Sequence, residues 1–236
     1  MSSSSAESGW LSSPILKKVV TGVTGLGLTL FVLGHMIGNL TMFSGPDAYN
    51  QYAHFLVSLG PLFYAVEIGL LAFFVFHIIT GIRIAMGNRR ARRSRYAVRR
   101  TAGGPSRQTV ASRSMIITGL LLMAFLVIHL LSFKFGPGGP GNANAAYFTT
   151  VDGVGMRDLA KLVHEKFQTP WYTFGYTIIM LLLMLHLRHG VWSALQSLGA
   201  MRPSLTPVVY TIGGLLGAGI AAGFIVMPLA IYFGFI

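Results

Sequence analysis

The sequence predicts an all-α membrane protein with five transmembrane helices. Of its 236 residues, 53% are hydrophobic and only 10% are charged, whereas a soluble domain carries about 25% charge. Five stretches are also long and apolar enough to cross a bilayer core of about 30 Å, which takes roughly 20 helical residues. The chain has no cysteine, which excludes disulfides, thiolate zinc sites and cysteine-ligated iron–sulfur clusters within it.

Each predicted span is a stretch with almost no charge. Span I has no charged residue, span II has only Glu67 between Gly60 and Ile82, and span III lies between Arg113 and Lys134. Span IV is apolar except for Arg188 and two histidines, and span V follows Arg202 with no charge to the last residue. The predicted spans are about 19–43, 61–87, 113–136, 170–198 and 207–234, within a single domain over 1–236.

The connection between spans II and III determines the predicted orientation. It contains nine arginines from Arg89 to Arg113 and no acidic residue, and Lys17 and Lys18 precede span I. The positive-inside rule therefore places this loop and the N-terminus in the cytoplasm and the C-terminus outside. Binding of nucleic acid is an alternative use of the arginines. Contact with anionic lipid accounts for them more simply, so we expect no nucleic-acid partner.

Five of the seven histidines lie within the spans, where an unsatisfied imidazole is costly. Spans I to III carry one each and span IV carries two, namely His35, His77, His129, His186 and His189. A single buried histidine usually only satisfies a neighbour by hydrogen bonding. Histidines on four different spans are harder to explain in that way, so their depth in the membrane becomes informative.

Counting from the outer end of each span places the histidines at two depths. His35 and His129 lie nine and seven residues from the outer end, whereas His77 and His186 lie 17 and 16 residues from it. At about 1.5 Å per residue, the two pairs are separated by roughly 10 to 15 Å along the membrane normal. Two stacked bis-histidine haem sites need this arrangement. We therefore predict two b haems, enclosed by helices I to IV, with these four histidines as ligands to the iron.

Small residues beside the histidines would make room for a porphyrin. His77 and His186 are each followed by a glycine four residues later, and His35 is also flanked by glycines. The shared pattern favours His186 over His189 as the ligand on span IV. His189 is then either a hydrogen-bonding partner of a propionate or quinone, or a packed core residue.

Other polar residues near the spans are candidates for contacts with haem propionates or quinone. Glu67, near the outer end of span II, is either a proton carrier for quinone or a paired structural carboxylate. The long basic side chains would hold propionates or extend to the membrane interface. The candidate contacts, besides Glu67, are Arg83, Arg188, His189, Lys134, Lys17 and Ser13.

Four segments carry a resemblance to a known family through their order and spacing. They lie at residues 10–22 (WLSS, KK and TG), 34–40 (GHMIGNL), 49–56 (YNQYAHFL) and 186–193 (HLRHGVWS). Together they resemble the single-chain, five-helix type of diheme cytochrome b, the membrane-anchor subunit of succinate dehydrogenase and fumarate reductase. The resemblance covers essentially all five spans, and its motifs are specific in combination, not singly.

This resemblance implies one haem-ligating histidine from each of the first four spans, in agreement with the pairs derived from depth. It implies a flavoprotein subunit and an iron–sulfur subunit as partners, contact with membrane lipids, and a location in the bacterial cell membrane. The chain would pass electrons between the iron–sulfur subunit and a quinone, expected to be menaquinone. One departure concerns the residues just before His186, which are leucine and methionine where some members have a proton-carrying glutamate. A proton path of that kind is not expected here.

Two other functions stay open. A diheme cytochrome b could instead anchor another quinone-linked dehydrogenase, such as a hydrogenase or formate dehydrogenase, although its histidines would be distributed among fewer helices. A haem-free transport or structural protein of the membrane would need no histidine pair. Optical spectra of the oxidised and reduced protein would separate the haem and haem-free alternatives.

Overall fold

The computed structural model describes residues 13–91 and 110–236. Six of the nine arginines of the predicted cytoplasmic loop fall at 92–109, outside the described residues. Within those residues the elements are α1 (Pro14–Asn39), α2 (Pro46–Ser58), α3 (Pro61–Arg90), α4 (Val110–His129), β1 (Phe148–Val151), β2 (Val154–Arg157), α5 (Leu159–Phe167), α6 (Pro170–Ser197) and α7 (Thr206–Tyr232).

Five described helices are long and apolar enough to cross a membrane, namely α1, α3, α4, α6 and α7. They confirm the predicted all-α, five-helix class. Proline lies in the first turn of α1, α3 and α6, where its missing N–H costs no helical hydrogen bond. The Ser13 side chain caps α1 by accepting a hydrogen bond from the Leu16 N–H over 3.4 Å, so this helix begins before the predicted span.

The long helices pack in a bundle in which α6 is central. It contacts α1, α4 and α7, whereas α3 packs mainly against α1. Glycines allow α7 to approach α6 closely, because a Cβ on Gly217 would lie 3.0 Å from the Met184 carbonyl oxygen.

One end of the bundle is covered by a folded cap that the sequence analysis did not predict. The cap consists of α2, the antiparallel hairpin β1–β2 and α5. Buried Asn50 joins its parts, because it donates to Asp158 Oδ1 and accepts from the Ala160 N–H, both over 2.9 Å. Leu162 and Phe167 of α5 then pack into the core at this end. We call it the capped end.

The opposite end, which we call the basic end, carries seven of the lysines and arginines that the structure describes. Its basic residues are Lys17, Lys18, Arg83, Arg89, Arg90, Arg113 and Arg202. By the positive-inside rule this end is cytoplasmic. That orientation stays a prediction.

Candidate functional site: two histidine pairs

The first histidine pair lies towards the capped end and joins α1 to α4. The ring centroids of His35 and His129 are 5.8 Å apart, and their planes are nearly perpendicular at 87°. Phe31 stacks on His35, and Phe224 of α7 lies against the same ring. The hydroxyl of Tyr176, on α6, lies 3.3 Å from Nδ1 of His129. Four of the five long helices therefore contribute to this pair.

The second pair lies towards the basic end and joins α3 to α6. The ring centroids of His77 and His186 are 6.3 Å apart, with an interplanar angle of 67°. Nδ1 of His77 lies 3.2 Å from the Thr21 carbonyl oxygen of α1. Because a carbonyl only accepts hydrogen bonds, this contact places the proton of His77 on Nδ1 and leaves the Nε2 lone pair free.

His186 has a similar partner on α4. Its Nδ1 lies 3.1 Å from Oγ1 of Thr118, which donates its own proton to the carbonyl of Ser114 or Met115. The hydroxyl can therefore accept from Nδ1–H, which again leaves Nε2 free. Metal-binding histidines commonly have their second ring nitrogen held in this way, because the contact fixes the tautomer and the orientation of the ring.

The contacts of each pair with neighbouring helices give its depth. On α1, a Cβ at Gly25 would lie 3.0 Å from the His77 ring, and Gly25 precedes His35 by ten residues. On α6, His186 follows Tyr176, the residue in contact with the first pair, by ten residues. Ten residues of α-helix rise about 15 Å. The structure thus brings the predicted partners together at two levels of the bundle.

The spacing of the histidines fits axial ligation of a haem iron. An imidazole nitrogen bonds to a metal at about 2.0–2.1 Å, which places the ring centroids of two axial imidazoles about 6 Å apart. A Cβ at Gly81 or Gly190, each one turn beyond a histidine of the second pair, would meet no atom within 4 Å. Across 13–91 and 110–236, no three histidine, aspartate or glutamate side chains gather at one point. Each pair would therefore hold an iron porphyrin through two imidazoles, and the porphyrin would supply the other ligands of the iron.

His189, the other candidate on α6, does not share the His77 contact. Its ring lies 5.7 Å from that of Trp192, and its Nδ1 is buried with no hydrogen-bonding partner in the described part of the chain. Buried polar atoms of this kind are rare in proteins. A bound group with hydrogen-bonding capacity, such as a propionate or a quinone carbonyl, would satisfy this nitrogen.

Glu67 of α3 forms an ion pair with Lys134 near the capped end. Lys134 ends the π-helical turn Leu130–Lys134, which follows His129 directly, and such turns are frequent at functional sites. About a third of each side chain is exposed, 31% for Lys134 and 30% for Glu67. Of the two roles considered for Glu67, the ion pair supports the structural one and does not test proton transfer.

The remaining candidate contacts lie nearer the basic end. The Arg188 guanidinium lies over the Tyr210 ring, 5.5 Å from its centroid. Arg83 is exposed near the end of α3, and the Ser13 hydroxyl is used in capping α1. Lys17 is partly buried in the first turn of α1. Their predicted contacts with propionates or quinone stay predictions.

Sequence reasoning missed the residues that hold the imidazoles. Thr118 and Tyr176 are polar residues in apolar spans, which was the available signal, whereas Thr21 acts through its main-chain carbonyl and leaves no side-chain signal. That signal is weak for threonine, since its hydroxyl can bond to a carbonyl of its own helix. Thr118 makes this bond as well as its contact with His186.

Comparison with known proteins gave one match. Residues 19–98 match the family described as the succinate dehydrogenase/fumarate reductase transmembrane subunit. The matched region contains His35 and His77 and ends before α4. No curated protein and no solved structure matched the chain.

The match supports a role as the membrane subunit of a succinate dehydrogenase or fumarate reductase. It concerns the first two long helices, which hold one histidine of each pair. It confirms the resemblance for the part of the chain that holds the motifs at 34–40 and 49–56: over residues 19–98, this chain is similar to the transmembrane subunits of succinate dehydrogenase and fumarate reductase.

Proposed function

We propose that the chain anchors such an enzyme in the bacterial cell membrane and passes electrons between its iron–sulfur subunit and a quinone, expected to be menaquinone. The succinate site would belong to a partner flavoprotein subunit. The observation that carries the proposal is the presence of two histidine pairs from four helices, with ring centroids 5.8 Å and 6.3 Å apart. When bound there as b haems, two iron porphyrins supply one-electron redox chemistry.

The chain's own residues would hold the four imidazoles ready for ligation. In the second pair, which we call the inner pair because it lies nearer the basic end, the Thr21 carbonyl and the Thr118 hydroxyl accept from Nδ1–H. Nε2 of each ring can then donate its lone pair. In the first pair, which we call the outer pair, the Tyr176 hydroxyl contacts Nδ1 of His129. A ring held at one nitrogen loses little orientational freedom when the other nitrogen binds a metal. These partners are therefore positioning residues.

The two levels give the bundle an electron path along the membrane normal. The inner pair lies towards the basic end, which carries the charge expected to contact the iron–sulfur subunit and anionic lipid. The outer pair lies about 15 Å further on by helix rise. If quinone reacted only at the basic end, the outer pair would have no role in electron transfer. We therefore propose that quinone reacts near the outer pair.

Glu67 and Lys134 lie close to this proposed quinone site. Lys134 follows His129 by five residues, which is less than two helical turns. We keep Glu67 as the candidate for exchange of protons between quinone and the exterior, in addition to its ion pair with Lys134. Moving one charge across most of the membrane against 100 mV takes about 2.3 kcal/mol. A membrane potential should therefore change the rate of quinone turnover.

Isolation of the chain from its native membrane tests this function. A tag on the chain should recover a flavoprotein and an iron–sulfur protein, and succinate should reduce b-type absorbance in the preparation. Reduction by formate or hydrogen, but not by succinate, would favour the anchor of another quinone-linked dehydrogenase. A preparation with no haem absorbance would favour a haem-free membrane protein.

A further inference from the structure

A small cleft at the basic end lies between the last turns of α6 and the first turn of α7. Its volume is about 130 Å³, and it is lined by Trp192, Gln196, Met201, Arg202, Pro203 and Thr206. Pockets for drug-sized ligands occupy about 300–1,000 Å³, so this cleft suits a small polar group. None of its lining residues belongs to a histidine pair.

Trp192 supplies an unused hydrogen-bond donor at this cleft. The side chain is only 7% exposed, and its Nε1 is buried with no hydrogen-bonding partner among residues 13–91 and 110–236. The indole N–H can only donate, and buried donors in native proteins are nearly always satisfied. The Tyr210 ring packs against the indole with centroids 5.7 Å apart. An acceptor from outside the part of the chain that the structure describes is therefore expected.

The charge of the cleft indicates the kind of acceptor. Arg202 brings a guanidinium that binds phosphate oxygens well, and Gln196 adds an amide that can donate. Thr206 is the first residue of α7, and a helix N-terminus carries a partial positive charge that favours anions. The lining contains no acidic residue. The donors therefore match a phosphate group.

We propose that this cleft binds the phosphate of an anionic phospholipid in the leaflet at the basic end. The cleft lies where two membrane-spanning helices end, which is the level of the lipid headgroups. There the acyl chains could extend along the exposed apolar surface of the bundle. The bound phosphate would join the end of α6 to the start of α7. This inference does not depend on haem or quinone binding.

Native mass spectrometry of the detergent-purified full chain tests this proposal. After equal additions of phosphatidylglycerol or phosphatidylcholine, the wild-type chain should retain about five times more of the anionic lipid, a ratio that corresponds to the contribution of one basic residue near an anionic surface. Arg202→Gln and Trp192→Phe should each reduce this preference. Arg113→Gln is the matched control, because it removes an exposed arginine of the same end outside the cleft.

Two results would overturn the proposal. Equal retention of the two lipids by the wild-type chain would show that the cleft does not select anionic headgroups. An unchanged preference in Arg202→Gln would place the selectivity elsewhere. Inorganic phosphate added alone distinguishes a site for a lipid headgroup from a site for free phosphate. Phosphate adducts that depend on Arg202, without selective retention of the anionic lipid, would make the cleft an ion site. That result would also contradict the lipid assignment.

Discussion

Nδ1 of His77 on α3 donates a hydrogen bond to the main-chain carbonyl of Thr21 on α1 over 3.2 Å. The neighbouring helix therefore determines which nitrogen of this imidazole is free. Close packing makes the contact possible, because a side chain at Gly25 would lie 3.0 Å from the ring. A main-chain carbonyl, and not a second ionisable side chain, thus leaves Nε2 as the nitrogen of His77 with a free lone pair, which ligation of a metal would need.

Replacement of single histidines should remove one haem at a time. His186→Ala should lose the haem of the inner pair and keep that of the outer pair, because among the described histidines the rings of His77 and His186 meet at that level. His129→Ala should give the reverse. His189→Ala is the matched control on the same helix and should retain both haems. The haem content of each purified variant shows which histidine on α6 is the ligand. If His189→Ala lost one haem and His186→Ala kept both, the assignment on α6 would be refuted.

Each hydroxyl that contacts an imidazole should affect the midpoint potential of one haem. Thr118→Val removes the acceptor of His186 Nδ1–H, which lowers the basicity of the ligand and should raise the midpoint potential of the inner haem. Tyr176→Phe removes the hydroxyl beside His129 and should shift the potential of the outer haem only. Spectroscopic redox titrations of both variants check this. Shifts of both haems in each variant, or of neither, would contradict the proposed contacts.

The presence of five membrane-spanning helices and the meeting of the histidines in two pairs could be predicted from sequence. Stretches without charge reveal the spans, and the fixed rise of a helix converts residue counts to depth. The structure brings His35 to His129 and His77 to His186 as expected from depth. Their binding of haem stays a prediction.

The contacts between distant segments could not be predicted in this way. Thr118 meets His186 across 68 residues of sequence, and hydropathy does not encode which faces of two helices meet. The cap depends on the bond between Asn50 and Asp158 across 108 residues. Short strands such as β1 and β2 leave a weak signal in the sequence, because strand stability depends on packing against distant parts of the chain.

The Glu67→Gln variant separates the two roles of this carboxylate. If Glu67 exchanges protons with quinone, the variant should lose quinone turnover by about 10²-fold while it keeps both haems. Lys134→Gln is the control, since it breaks the same ion pair but leaves the carboxylate in place. It should lose much less turnover. Unchanged turnover in Glu67→Gln, with both haems present, would leave Glu67 with a structural role only.

Tyr49 in the cap should make stability depend on alkaline pH. Burial raises the pKa of Tyr49, Tyr52 raises it further, and Arg157 partly offsets these effects. In the unfolded chain, tyrosine ionises near its ordinary pKa of about 10. Above that pH the unfolded state loses a proton that the folded state keeps, so stability that is present below about pH 10 is lost as pH rises. Thermal unfolding should therefore show a steeper alkaline decline for the wild type than for Tyr49→Phe, and equal declines would contradict this.

The amount of b haem bound per chain, measured by pyridine haemochrome on the purified complex, tests the central claim most directly. The four-histidine arrangement predicts two haems per chain, both with the spectra of low-spin, bis-imidazole iron. It also predicts that the double variant His35→Ala and His77→Ala, which removes one ligand from each pair, binds none stably. A wild-type complex with no haem, or two haems retained in this double variant, would contradict the account.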